Sequence, residues 1–252
     1  MNITFTTYLI LCPLVFLGAF VDSIGGGGGL ISLPAYLLCG LPPHMAIATN
    51  KLSSACGTTI STLKFAKEKL INYKLAVPTI LTALLGSAIG AKLSLFANED
   101  ILKIVLIPVL FIAAFFVLNK NLFGKEYDNS TGINVRTYII ASVASLVIGM
   151  YDGFYGPGTG TFMIIVLNLF AHLNIRQANA QTKTINLTTN LTSLTVFIIN
   201  GQVVWKLGIV AAVFGIAGNY LGAGLAIKNA SKITRPVILM VLAILLIKIL
   251  FE

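Results

Sequence analysis

Long apolar runs separated by short polar turns follow one another from end to end of the chain. The first, residues 7–21, stops at Asp22 and five consecutive glycines; a second, residues 30–41, stops at Pro42, Pro43 and His44. At about 1.5 Å per helical residue neither run comfortably crosses a hydrocarbon core about 30 Å thick. The pattern therefore predicts two half-helices meeting at a glycine break. Residues 45–63, 75–96 and 101–118 predict three ordinary spanning helices, joined by a basic loop at 64–74 and a short acidic turn at Asn98, Glu99 and Asp100. The most polar stretch, residues 119–136, is the natural seam of the chain.

After the seam the pattern begins again. An apolar run at 138–150 leads to Asp152, then to Gly156-Pro157-Gly158-Thr159-Gly160, and a further short run covers 161–171. At an offset of about 132, Lys51 falls on Lys183, Gly86 on Gly218, Gly90 on Gly222, and Lys74-Leu75 on Lys206-Leu207. The chain reads as an internal duplication inside one membrane domain spanning 1–252. Repeat 1 runs from about 7 to 118, a cytoplasmic linker covers 119–136, and repeat 2 runs from about 137 to 251.

Cations in short loops collect on the cytoplasmic side of a membrane. If each glycine break returns to the side it came from, the halves are inverted and 12 of the 17 Lys and Arg share one side; parallel halves give 9 against 8. The charge bias selects inversion, with both termini outside. The expected fold class is an all-α polytopic membrane protein with two inverted-topology repeats. Each repeat holds a glycine-broken re-entrant half-helix pair plus three transmembrane helices, giving eight to ten helical segments. Interrupted helices at matching places in inverted repeats typify secondary transporters, whose substrate sits near the bilayer midplane.

Composition agrees with a bilayer and removes other classes. Of 252 residues 57% are hydrophobic and 10% charged, and mean hydropathy is +0.93, far from the mixture found in water-soluble domains. The net charge of +9 sets topology and is not read as a nucleic-acid surface. Residues 1–24 lack a basic start and a small-residue cleavage site, so they read as a retained helix and not a leader. Cys12, Cys39 and Cys56 form no metal-ligand spacing and read as free buried thiols. No metal and no cofactor is expected: His44 and His172 have no second ligand at helical spacing, and the glycine run lacks the strand and lysine of a nucleotide loop.

The candidate chemistry lies at the two breaks. Gly25, Gly26, Gly27, Gly28 and Gly29, with Gly156, Gly158 and Gly160, precede helix N-termini whose free N–H groups and dipole favour an anion. Lys51 and Lys183, with Thr49, Asn50, Gln181 and Thr182, could add a cation, amides and hydroxyls around it. An alternative placement for either lysine is snorkelling to the interface. Asp22 and Asp152 are candidates for proton coupling if they lie at membrane depth, or simple caps of the following half-helix. Gly86, Gly90, Gly218, Gly222 and Gly224 read as close-crossing positions, and Thr188, Thr189, Thr192 and Ser193 as helix-to-helix hydrogen-bonding groups. Tyr73 and Trp205 read as interfacial anchors.

These residues carry a family likeness. The segments DSIGGGGGLISLPAYLLCGLPPHMAIATNKLSS, DGFYGPGTGTF and ANAQTKTINLTTNLTS, with the duplicated LLGSAIGAKL and IAGNYLGAGL, resemble the TauE/SafE family of sulfite exporters over nearly the whole chain. The resemblance implies transport of sulfite, sulfonates or related organosulfur anions across the cell membrane without a prosthetic group, and the family's name implies export; no enzyme activity is expected, since no metal set or nucleophile–base pair stands out. The expected partners are a small anionic substrate and the lipid bilayer, and the sequence is compatible with a homo-oligomer. A passive anion channel and a non-transporting membrane assembly partner are the alternatives.

Overall fold

The computed structural model describes residues 4–97 and 133–251. Among these residues there are eight helices and no strand: α1 (Phe5–Gly25), α2 (Gly29–Leu38), α3 (Pro43–Lys67), α4 (Tyr73–Ser94), α5 (Val135–Phe154), α6 (Thr159–Leu169), α7 (Ile175–Ile199) and α8 (Trp205–Phe251). The protein is an all-helical, polytopic membrane protein. Local chemistry sets several helix starts: Asn72, Asn134 and Asn174 each accept a hydrogen bond from the third residue that follows, and Pro43 opens α3 with a φ already suited to a helix. α8 is kinked at Asn229, whose φ of −132° leaves the helical region. The expected helix over 101–118 and residues 119–132 of the linker lie outside the described residues.

Among the described residues four helices are long and apolar enough to cross a membrane: α1, α4, α5 and the first arm of α8, Trp205–Asn229. This corrects the expected pair of half-helices. Only the second arms are short, with 10 residues in α2 and 11 in α6, whereas α1 has 21 and α5 has 20. The apolar runs stop at the aspartates, but the helical backbone continues through Asp22 to Gly25 and through Asp152 to Phe154.

The continuation is possible because other helices supply partners. The last carbonyls of a helix have no intrahelical donor and are costly when left bare in an apolar setting. In α1, Asp22 O takes the Gly26 N–H at 2.8 Å and also receives Lys183, while from distant helices Ser23 O receives Asn179 Nδ2 at 3.1 Å, Ile24 O receives Asn179 Nδ2 at 2.9 Å and Thr234 Oγ1 at 3.3 Å, and Gly25 O receives Thr161 Oγ1 at 2.9 Å. Each of these side-chain donors belongs to the C-terminal half.

α3 and α7, each of 25 residues, do not fit the expectation of ordinary spanning helices. They are long enough, at about 37 Å, but their buried faces are polar: Asn50, Lys51, Ser53 and Thr58 on α3, and Asn179, Gln181, Lys183, Asn186 and Asn190 on α7. Hydropathy reads lipid contact, and these faces touch protein. The lipid-type surface lies on the outer helices, where Val77, Leu81, Leu85 and Ile89 of α4 and Ile139, Val143 and Val147 of α5 are exposed at nearly one-turn intervals.

The outer helices pair across the two halves of the chain. α1 packs most extensively on α8, and α4 on α5. Both seams are closed by glycine. A Cβ on Gly86 or Gly90 would collide with the carbonyl oxygens of Leu146 or Met150, and one on Gly218 or Gly222 with those of Phe16 or Phe20. Without a hydrophobic drive between helices in lipid, such small-residue contacts supply much of the packing energy. Gly224 differs from the expectation. Its nearest neighbour is Lys64 Nζ at 3.1 Å from a built Cβ, and that ammonium lies over the Tyr220 ring, 3.7 Å from its centre. Thr188, Thr192 and Ser193 bond to carbonyls four residues back on their own helix, and Thr189 to one three residues back. The crossing bond expected of this group is made by Ser193, whose hydroxyl is 2.7 Å from that of Ser87.

Candidate functional site

The two helix breaks cross at backbone distance. Gly26, with φ of +74°, takes a conformation that L side chains rarely adopt, and a Cβ there would run into the backbone of Gly160. Reciprocally, a Cβ on Gly160 would stand 2.8 Å from the Gly26 Cα and 2.9 Å from Asn186 Nδ2. Glycine is needed here because two main chains touch. Beside this crossing lies a cavity of about 50 Å³, room for a few water-sized groups at about 10–15 Å³ each.

Its wall contains Gly27, Gly28 and Gly29 at the N-terminus of α2, Gly156, Gly158, Thr159 and Gly160 at that of α6, Asn50 and Lys51 from α3, and Asp22 and Asp152. Of the positions singled out in the sequence, Gly25, Gly26, Thr49, Gln181, Thr182 and Lys183 are not part of that wall. Gly25 packs against Val237 and Ile238. Thr49 Oγ1 accepts from the Val204 backbone N–H at 3.0 Å, and Gln181 Nε2 donates to Thr79 Oγ1 at 3.2 Å. Thr182 is fully buried.

The lysines do not snorkel. Each is the ninth residue of its helix, about 12 Å from the start, and they are 3% and 0% exposed. Lys51 Nζ lies 3.0 Å from Asp152 Oδ1 and donates to Asn190 Oδ1 at 3.2 Å. Lys183 Nζ lies 2.7 Å from Asp22 Oδ2 and also donates to the Asp22 backbone carbonyl. The ion pairs are therefore exchanged: the first lysine takes the second aspartate, and the second lysine the first. Asp22 has a further task, because its Oδ1 accepts from the Gly28 N–H at 3.3 Å and so caps the approach to α2. The capping alternative for this residue is thus realised alongside burial.

The repeated motifs do not include Asn186, Asn190 and Asn219, nor Ser53, Ser54, Thr58 and Tyr155, all of which line the cavity. One signal was available. Lys183, Asn186 and Asn190 stand three and four apart, a single helix face in an otherwise membrane-like segment. Several of these groups have free valences: Asn50 Oδ1, Asp152 Oδ2, Asn186 Oδ1 and Asn219 Oδ1 are buried with no hydrogen-bond partner. A buried polar atom without a partner is costly, and four around one cavity mark a place built to hold something polar. Among the described residues no group of three or more His, Cys, Asp or Glu could hold a metal ion.

Comparison with known proteins agrees with this architecture. A sequence model described as sulfite exporter TauE/SafE matches residues 11–249. The chain is 32% identical over 253 residues to "Probable membrane transporter protein ORF9" of Sinorhizobium sp, covering 100% of this chain and 95% of the relative. It is 33% identical over 258 residues to "Probable membrane transporter protein YfcA" of Escherichia coli K12, covering 99% and 94%. A Bacillus subtilis relative, "Probable membrane transporter protein YdhB", is 27% identical over 216 residues, covering 85% and 88%. No solved structure matches the chain. With a family match over nearly its whole length and an interior polar cavity between two broken helices, this membrane transporter belongs to the TauE/SafE sulfite exporter family.

Proposed function

We propose that the protein is a secondary transporter, not an enzyme, that moves small sulfur-containing anions such as sulfite or a short sulfonate out across the cell membrane by alternating access. The observation that carries this reading is the cavity at the crossing of the two helix breaks, where Lys51 and the N-termini of α2 and α6 converge. Backbone N–H groups and a buried ammonium suit an oxyanion, and the small volume suits a small one. The relatives' names supply transport, and the family description supplies the sulfur anion and the outward direction.

The two halves act as inverted repeats, 7–118 and 137–251, around the linker. The exchanged pairs support a two-fold relation between the halves, since α1 on α8 mirrors α5 on α4 and Lys183 on Asp22 mirrors Lys51 on Asp152; the cation bias of the loops supports its inverted sense. Asp22 and Asp152 provide the groups for proton coupling.

The test is uptake of radiolabelled sulfite and of short alkanesulfonates into proteoliposomes under an imposed pH gradient. Protein-dependent flux that disappears with Lys51→Gln is the expected result. Equal distribution with and without protein, for every anion and gradient, removes the substrate assignment. Unitary currents far faster than a conformational cycle replace the transporter by a channel.

A further inference from the structure

The cavity's charges already cancel. Its wall carries Lys51, Asp152 and Asp22, and Lys183 sits behind the wall on Asp22, so two ammonium groups meet two carboxylates. Both ammonium groups and one backbone donor that an anion would seek are occupied: Asp152 holds Lys51, and Asp22 holds both Lys183 and the Gly28 N–H. An anion added to this arrangement would leave one uncompensated negative charge in a low-dielectric interior, where charge is expensive. The neutral arrangement therefore has to change when the anion arrives.

We infer that Asp152 is the substrate's built-in competitor: a monovalent oxyanion binds by taking the place of the Asp152 carboxylate on Lys51, and Asp152 gives way by accepting one proton at Oδ2. Resting on the anion-transporter reading above, the inference names the exchange that the same site performs. Lys51 stays protonated throughout. One anion and one proton enter, no bond other than the new O–H is made, and the site's net charge is unchanged.

Three observations single out this pair. Lys51 and Asp152 both face the cavity, whereas Lys183 does not. Asp152 is 5% exposed and its Oδ2 has no partner, so one oxygen is engaged and the other is free to carry a proton. A protonated Oδ2 becomes a donor, and the unpartnered oxygens of Asn50 and Asn186 on the same wall are waiting acceptors. The charged and titratable groups around Asp152 are Lys51 from α3, Asp22 from α1 with Lys183 of α7 behind it, and Tyr155 just past the end of its own helix; Tyr151 is turned to the Pro157 carbonyl at 2.6 Å. α4 and α6 add none to the cavity wall.

The experiment is calorimetric titration of the purified full-length protein with methanesulfonate, which stays ionised across the range used, at pH 5.5 and 8 and in buffers of different ionisation enthalpy. In the wild type, binding takes up about one proton, and affinity tightens by up to about tenfold per unit fall in pH, the slope of one linked proton. Asp152→Asn binds more than tenfold tighter than wild type at pH 8, with a flat pH profile and no proton uptake. The wild-type proton count needs no variant, so the test survives if Asp152→Asn fails to fold. Anion binding without proton uptake overturns the inference while leaving the transporter reading standing. So does proton uptake that is abolished in Asp22→Asn but kept in Asp152→Asn. No binding of methanesulfonate or sulfite by any form at either pH sinks both.

Discussion

Lys183 on α7 grips Asp22 on α1 at two atoms, its Nζ lying 2.7 Å from Oδ2 while also donating to the backbone carbonyl. The same residue thus neutralises a carboxylate that is only 19% exposed and completes the end of a helix. Removing one partner of a buried pair is far worse than removing both, because the remaining charge is stranded. Lys183→Ala should lower stability by about 3–5 kcal/mol, read as an earlier thermal transition in detergent. The double variant Lys183→Met with Asp22→Asn should recover part of that loss. Equal melting of the single variant and the wild type would remove the pair from the structural framework.

Asn179 is predicted to matter as much for its position as for its amide. Its Nδ2 serves both Ser23 O and Ile24 O, so Asn179→Leu leaves Ser23 O without this donor and Ile24 O with Thr234 alone. The expected cost is about 1–3 kcal/mol for an orphaned carbonyl. Hydrogen exchange of the α1 C-terminal turn should accelerate in this variant while that of α4 does not.

The glycine seams give a matched set. Gly90→Ala and Gly222→Ala should each destabilise by about 1–3 kcal/mol, since the new methyl group meets a carbonyl oxygen on the facing helix. Gly224→Ala meets only a flexible lysine end and should melt like the wild type. A uniform response of the three variants in heated size-exclusion profiles would contradict the seams.

Two glycines of the same run, Gly26 and Gly29, should separate fold from function. Gly26→Ala is strained by its φ and collides with Gly160, so little folded protein is expected. Gly29→Ala would bring its Cβ to 3.4 Å from the Pro157 Cα, an ordinary contact. That variant should fold and show altered anion affinity in flux assays, because it narrows the cavity wall.

The membrane class, the two breaks and the repeated lysines and aspartates were legible in the sequence because each leaves a local mark: apolar length, consecutive glycines, an ionisable residue among apolar ones; the ion pairs that join those lysines and aspartates were not. What escaped was set by partners distant in the chain. The length of α1 could not be read past Asp22, since the donors that let the helix continue sit at 161, 179, 183 and 234. Thr49 and Gln181 flank the lysine segments in sequence, yet helix geometry turns them toward α8 and α4 instead of the cavity. Asn186 and Asn190 were passed over because they have no asparagine counterpart 132 residues earlier, where Ser54 and Thr58 stand. Repetition marks only part of such a site, because the cavity wall is only partly symmetric.

The donors at the end of α1 also order events during synthesis. When α1 enters the bilayer, Asn179, Lys183 and Thr234 have not yet been translated, so the carbonyls of Ser23 and Ile24 lack their final side-chain donors, and Asp22 has only its local partners, the Gly26 N–H on its carbonyl and the Gly28 N–H on its carboxylate. The nascent first half must keep that end wet, or held by insertion machinery, until residue 234 has emerged. Biogenesis, and not the finished fold, is then where truncated chains should fail: a fragment ending near the linker should remain accessible to membrane-impermeant reagents at Asp22 positions exchanged for cysteine, and lose that accessibility when the second half is supplied as a separate chain.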